Sequence, residues 1–227
     1  MNSRIILPLD HTPWEQAVDI MEQTRGLVWG YKIRRAVLER GLGVVDTIKA
    51  FGKVMLDFKL YDIPSAMTES LQMHIDAGAN ITTVHCTSDY DPPAQGLAKD
   101  TIAGVTILTS MDAEHFKRYY RGETIIDMVQ RMAEDAVPRY AYLVCSPREL
   151  VRIRALAVQK ICPGIRPAWY NRSDDQRRST TPAQAIRNGA DLLVIGRPLL
   201  QADDLVAAIH KTNAEIKAAE DSGPASS

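Results

Sequence analysis

Short apolar runs recur along the chain, at residues 4–9, 27–33, 53–58, 81–85, 102–108, 141–145, 158–162 and 192–195. Each has the length of a strand. Several, such as 54–56 and 192–195, are apolar at consecutive positions, the mark of a strand buried on both faces. Amphipathic stretches lie between them. Residues 13–24 carry Trp14, Ala17, Val18 and Met21 at helical spacing behind Thr12, a candidate N-cap. Residues 65–77 place Met67, Leu71 and Ile75 four apart and stop at Gly78. Residues 124–134, 147–156, 182–188 and 203–219 follow the same logic, and 36–51 hold a further helix whose limits Gly41 and Gly43 blur.

Eight strands alternating with helices predict a parallel sheet covered by helices. Two architectures suit this length, a closed (β/α)8 TIM barrel and an open doubly wound sheet. No Gly-x-Gly-x-x-Gly follows the first strand, which weakens the dinucleotide-binding version of the open sheet. The count of eight favours the α/β barrel, a single catalytic domain over residues 1–220. The small, polar segment 221–227, with Gly223 and Pro224, is expected to be a disordered tail.

Composition narrows the partners. With 227 residues and 45% apolar content the chain can bury one sizeable core. A net charge of −1 argues against coating nucleic acid or anionic membrane. Cys86, Cys145 and Cys162 are scattered, with no CxxC pair and no His/Cys cluster at ligand spacing, so neither a disulfide framework nor a metal site is expected. No apolar stretch approaches the roughly 20 residues of a membrane span, and nothing near Met1 resembles a signal peptide. The expectation is a cytoplasmic protein with a small-molecule partner.

The candidate chemistry sits at the strand ends. The third strand runs from Val54 through Leu56 and then places Asp57 and Lys59 two apart, on one face, with Asp62 and Pro64 where a helix begins. In a barrel, polar residues at strand C-terminal ends share one mouth. Asp10 ends the first strand, Lys32 the second, Thr109-Ser110 the fifth, Pro163-Gly164-Ile165-Arg166 the seventh and Gly196-Arg197 the eighth. A surface ion pair explains any one of these; a charged or hydroxyl residue at nearly every strand end points to a site. The last two loops suit a phosphate: Gly196 permits close backbone approach and Arg197 supplies a fork of donors. The polar loop 168–181, with Asp175, Gln176 and Arg178, has the length of a mobile lid.

Taken together, Leu7-Pro8-Leu9-Asp10, Lys32, Asp57-Phe58-Lys59-Leu60-Tyr61-Asp62-Ile63-Pro64, Leu108-Thr109-Ser110-Met111, Pro163-Gly164-Ile165-Arg166-Pro167, Asp175-Gln176-Arg177-Arg178 and the Gly189-to-Pro198 segment resemble the orotidine 5′-monophosphate decarboxylases. The likeness runs from about Ile5 to Ile209 and fits the monofunctional form. The resemblance implies cofactor-free decarboxylation of orotidine 5′-monophosphate to UMP, the last step of pyrimidine synthesis. It casts Lys59 as the proton donor to C6, Asp57 as the carboxylate set against the substrate's own, and Asp62 as a residue contributed across a homodimer interface. Lys32 completes the charge network and touches the ribose, and Asp10 binds a ribose hydroxyl. Thr109 and Ser110 meet the pyrimidine. Arg166, Gln176, Gly196 and Arg197 match substrate-binding positions, with Gln176 and Arg197 directed to phosphate.

Two departures stand out. Lys32 is followed by Ile33-Arg34-Arg35 where many members have a small residue and glycine, and Ala66 occupies a position usually held by threonine. Two other readings are a related magnesium-dependent barrel decarboxylase or aldolase acting on a keto-sugar phosphate, and a silent phosphosugar-binding barrel. Ile63-Pro64 and the Gln176/Arg178 pair favour the nucleotide enzyme.

Overall fold

The computed structural model describes residues 3–170 and 180–223. Eight strands close into a barrel in sequence order: β1 (Ile5–Pro8), β2 (Gly30–Ile33), β3 (Lys53–Leu60), β4 (Ile81–His85), β5 (Ile102–Val105), β6 (Tyr142–Val144), β7 (Gln159–Pro163) and β8 (Leu192–Val194). Every neighbouring pair is parallel, and β8 closes on β1 through Ile5↔Leu193 and Ile6↔Val194. This is the expected (β/α)8 TIM barrel. All eight apolar runs became strands, several of them shorter than expected.

The helices are α1 (Trp14–Thr24), α2 (Arg35–Arg40), α3 (Val44–Lys49), α4 (Pro64–Asp76), α5 (Ala113–Tyr119), α6 (Ile125–Ala136), α7 (Leu150–Ile153), α8 (Pro182–Arg187), α9 (Arg197–Leu200) and α10 (Leu205–Asp221). Helices α5 and α9 were not expected, and three of the expected stretches differ in detail. The 36–51 segment is two helices, because Gly41, at φ +76°, ends the first and the chain turns before the second. The 147–156 segment keeps one short helix: Glu149 is buried and its carboxylate accepts from Ser146 N at 2.9 Å, holding a turn there. In α1 the cap position is Pro13 rather than Thr12. The last helix runs through Asp221, and 224–227 lie outside the described residues.

Apolar side chains form two layers. The larger lies between barrel and helices, with Ile5, Leu7, Tyr31, Ile33, Val54, Leu56 and Val84 from the strands' outer faces. The smaller fills the barrel interior with Ile6, Met55, Ile81, Ala103, Ile161, Leu192 and Val194. This explains the consecutive apolar positions: odd and even residues face different layers, and both are dry. Gly30 lets β2 and β3 approach, since a Cβ there would lie 2.1 Å from Lys53 O.

Candidate active site

The inner face changes character partway up the barrel. On β3, Met55 belongs to the interior apolar layer, and the next two residues on its face are Asp57 and Lys59. On β4 the corresponding series is Ile81, Thr83 and His85. The apolar layer plugs the barrel, and the polar residues stand above it at the C-terminal mouth.

There the side chains interlock. Lys32 Nζ bonds Asp10 Oδ2, and it reaches Asp57 Oδ2 at 2.8 Å. Lys59 Nζ meets the other oxygen, Asp57 Oδ1, at 2.7 Å. The result is an alternating row, Asp10–Lys32–Asp57–Lys59. Asp57 is 9% exposed. Burial alone would raise its pKa, but the Lys32 and Lys59 charges outweigh that and hold it below the ordinary carboxylate value. Burial likewise works to lower the Lys32 pKa, and the Asp57 and Asp10 charges carry it above its usual value instead. His85 moves down, first through burial and then through the Lys59 charge.

The backbone bends to make this possible. Five residues of β3, Leu56 to Leu60, lie against only three of β4, Thr82 to Val84. Within that bulge Lys59 adopts φ +51°, the one non-glycine residue at positive φ among the described residues. Such a conformation costs on the order of 1–3 kcal/mol and persists only where its surroundings fix it. Thr83 does so: its hydroxyl accepts from Lys59 N at 2.8 Å and donates to Asp57 Oδ1 at 3.1 Å. The sequence reading missed Thr83; the signal was its place two residues after Ile81 on the inner face.

Two adjoining cavities share Lys32, Arg34, Asp57 and Lys59. One, about 420 Å³, adds Thr109, Ser110, Ile107, Val144 and Pro163. The other, about 340 Å³, adds Asp10, His11, Arg35 and Leu38. Asp10 Oδ1 is buried with no hydrogen-bond partner among the described residues, leaving an acceptor for a ligand hydroxyl. A larger cavity of about 670 Å³ opens at the barrel's other end, beside Trp29, Lys53 and Asp191, and gathers none of the expected residues.

Six of the expected residues are thus brought together: Asp10, Lys32, Asp57, Lys59, Thr109 and Ser110. Asp62 lines neither cavity; it is exposed, and its Oδ1 accepts from Ile63 N at 2.7 Å. Arg166 follows β7, its guanidinium 5.9 Å from the Tyr170 ring, and Arg166 N bonds Thr180 O at 3.0 Å, joining the two stems of the long loop. Glu215 on α10 accepts from Ala168 N and Ala183 N, both at 3.2 Å, and so ties the same stems to the last helix. Gly196 and Arg197 open α9, with Gly196 packed so that a Cβ would come 3.0 Å from Pro8. Gln176 lies outside the described residues, as do Asp175, Arg177 and Arg178.

The role given to Thr83 is testable. Thr83→Val keeps the side chain's shape but leaves Lys59 N and Asp57 without that hydroxyl. It should cost about 1–3 kcal/mol in urea unfolding, and Thr83→Ser should recover most of it. A Thr83→Val variant as stable as the parent would contradict the assignment.

Comparison with known proteins agrees with the fold. The sequence profile of the orotidine 5′-phosphate decarboxylase / HUMPS family matches residues 3–212. Orotidine 5′-phosphate decarboxylase from Desulfosudis oleivorans is 35% identical over 95% of this chain and 93% of its own. The enzyme of that name from Paramagnetospirillum magneticum is 31% identical, covering 95% of this chain and 99% of its own. Among solved structures, orotidine 5′-phosphate decarboxylase from Lactobacillus acidophilus superposes with a TM-score of 0.77 at 24% identity, over 95% of this chain and 99% of that one, a likeness of fold. With the profile spanning the whole barrel and curated relatives above 30% identity along nearly their full length, the chain belongs to the orotidine 5′-phosphate decarboxylase / HUMPS family.

Proposed function

We propose that this protein decarboxylates orotidine 5′-monophosphate to UMP, the closing step of pyrimidine nucleotide synthesis, in the cytosol and with no metal or cofactor. The observation that carries the proposal is the Asp10–Lys32–Asp57–Lys59 row at the floor of the mouth. The named relatives along almost the full chain support the choice of substrate.

The chemistry follows from the charges. Loss of carbon dioxide breaks the bond between C6 and the carboxylate carbon and leaves the electron pair on C6, where no neighbouring carbonyl delocalises it fully. A fixed ammonium aimed at that carbon stabilises the developing charge and supplies the proton. Lys59 takes this role, and its amine regains a proton from water. Asp57 stands beside the substrate carboxylate, and their repulsion is relieved as carbon dioxide departs. Asp10 and Lys32 hold the ribose, Thr109 and Ser110 meet the pyrimidine, and Arg166, Gln176, Gly196 and Arg197 bind the rest of the nucleotide, its phosphate with Gln176 and Arg197. Binding the remote phosphate contributes to orienting the reacting end.

We assign the working form as a homodimer in which each Asp62 completes the partner's site. Tyr61 and Ile63, 65% and 66% exposed, flank Asp62 and provide apolar surface for such a contact.

The direct experiment is spectrophotometric: purified protein should consume orotidylate and form UMP at a rate indifferent to EDTA, whereas loss of activity in EDTA would favour the magnesium-dependent alternative. Lys59→Ala should lose about 10³-fold or more in turnover while still binding UMP. Near-normal turnover in that variant would remove Lys59 from its role.

Mixing variants tests the shared site. Asp62→Ala and Lys59→Ala homodimers should each be inactive, but their heterodimer has one site with both lesions and one with neither. Subunit exchange should restore up to about half the activity of a wild-type dimer per heterodimer. Verified heterodimers that stay inactive would show that Asp62 does not act across the interface.

A further inference from the structure

Among the described residues, four lysine and arginine side chains line the two cavities at the mouth: Lys32, Arg34, Arg35 and Lys59. Three already hold a carboxylate. Lys32 is taken by Asp10 and Asp57, Lys59 by Asp57, and Arg35 by Glu39 at 2.6 Å. The Arg34 side chain makes no ion pair or hydrogen bond among the described residues, although it borders both cavities. Asp10 and Asp57 balance Lys32 and Lys59, and Glu39 balances Arg35, so among the described residues lining these two cavities Arg34 is the positive charge left over.

We infer that Arg34 is a specificity-determining residue that receives the carboxylate of the substrate; the inference rests on the decarboxylase reading above. The substrate brings two anionic groups, a carboxylate and a phosphate, and placement separates them. Both cavities that Arg34 lines also contain Asp57 and Lys59, the residues at the reacting carbon. Neither contains Gly196 or Arg197, the eighth-strand residues assigned to the phosphate side. Arg34 sits at the tip of β2, next to β3 and two strands from β8 around the barrel. A guanidinium is the side chain best suited to grip a carboxylate with two parallel hydrogen bonds.

The contact has a kinetic signature. The carboxylate is charged in the bound substrate and becomes neutral carbon dioxide as the bond breaks, so Arg34 stabilises the ground state more than the transition state. It draws the substrate carboxylate into a site where Asp57 repels it. Removing Arg34 therefore weakens orotidylate binding without slowing the bound complex. UMP, which has hydrogen at C6, does not sense the change.

The test compares the two nucleotides. Arg34→Met should raise the KM for orotidylate about tenfold, the scale of one charge-assisted contact, with kcat undiminished and the Ki of UMP within about twofold of wild type. Arg34→Lys should recover part of the loss. If orotidylate and UMP weaken by the same factor, Arg34 reads the phosphate or ribose and the assignment fails; it fails equally if neither changes. Should the wild-type protein bind orotidylate without turnover, the decarboxylase reading falls instead. The ratio of equilibrium Kd values for the two nucleotides then decides the Arg34 contact by itself.

Discussion

Both oxygens of Asp57 are occupied, one by Lys32 and the other by Lys59 and Thr83. The rest of the mouth depends on this one carboxylate. Without it two ammonium groups would face each other in a partly dehydrated pocket, and the Lys59 side chain would lose its ion-pair partner. Burying such a row costs desolvation on every ion, which direct contacts in the alternating order offset. Opposite shifts follow: the Asp57 pKa lies below its ordinary value and that of Lys32 above its own. Both groups therefore stay charged across neutral pH. The stability contributed by Asp57 is present above its unfolded pKa and is lost as pH falls through the depressed folded one; that of Lys32 is lost only as pH rises past its raised value.

The barrel converts strand periodicity into this arrangement. Residues two apart share a face, so a strand can supply an apolar plug at one level and a functional group at the next. Met55, Asp57 and Lys59 make that transition within β3, and Ile81, Thr83 and His85 repeat it on β4. The plug gives the charges an apolar floor, which strengthens the field they set up in the mouth.

Much of this was readable in the chain. The eight strands were legible because runs buried on both faces stand out against amphipathic helices. The pairing of Asp57 with Lys59 followed from their spacing, and the position of Lys32 from its place at a strand end. Less was legible where the cause is local or lies in another chain. Thr83 looked like an ordinary strand threonine, since β-branched residues suit strands whether or not they bear a role. Helix α5 was missed because Phe116 is its one buried residue, too little for a periodic signal. The positive φ of Lys59 could not be read from its residue type, because an L side chain adopts it only when its surroundings impose it. The role proposed for Asp62 calls on a second subunit, which no spacing within one sequence places.

Two ammonium groups hold the Asp57 carboxylate ionised. The most direct measurement is a pH titration of its side-chain carbon by ¹³C NMR, assigned by comparison with Asp57→Asn. The midpoint should fall below 3.8, the ordinary value for an aspartate. A midpoint at or above 3.8 would mean that burial outweighs Lys32 and Lys59, and the alternating row would not be the organising feature of this site.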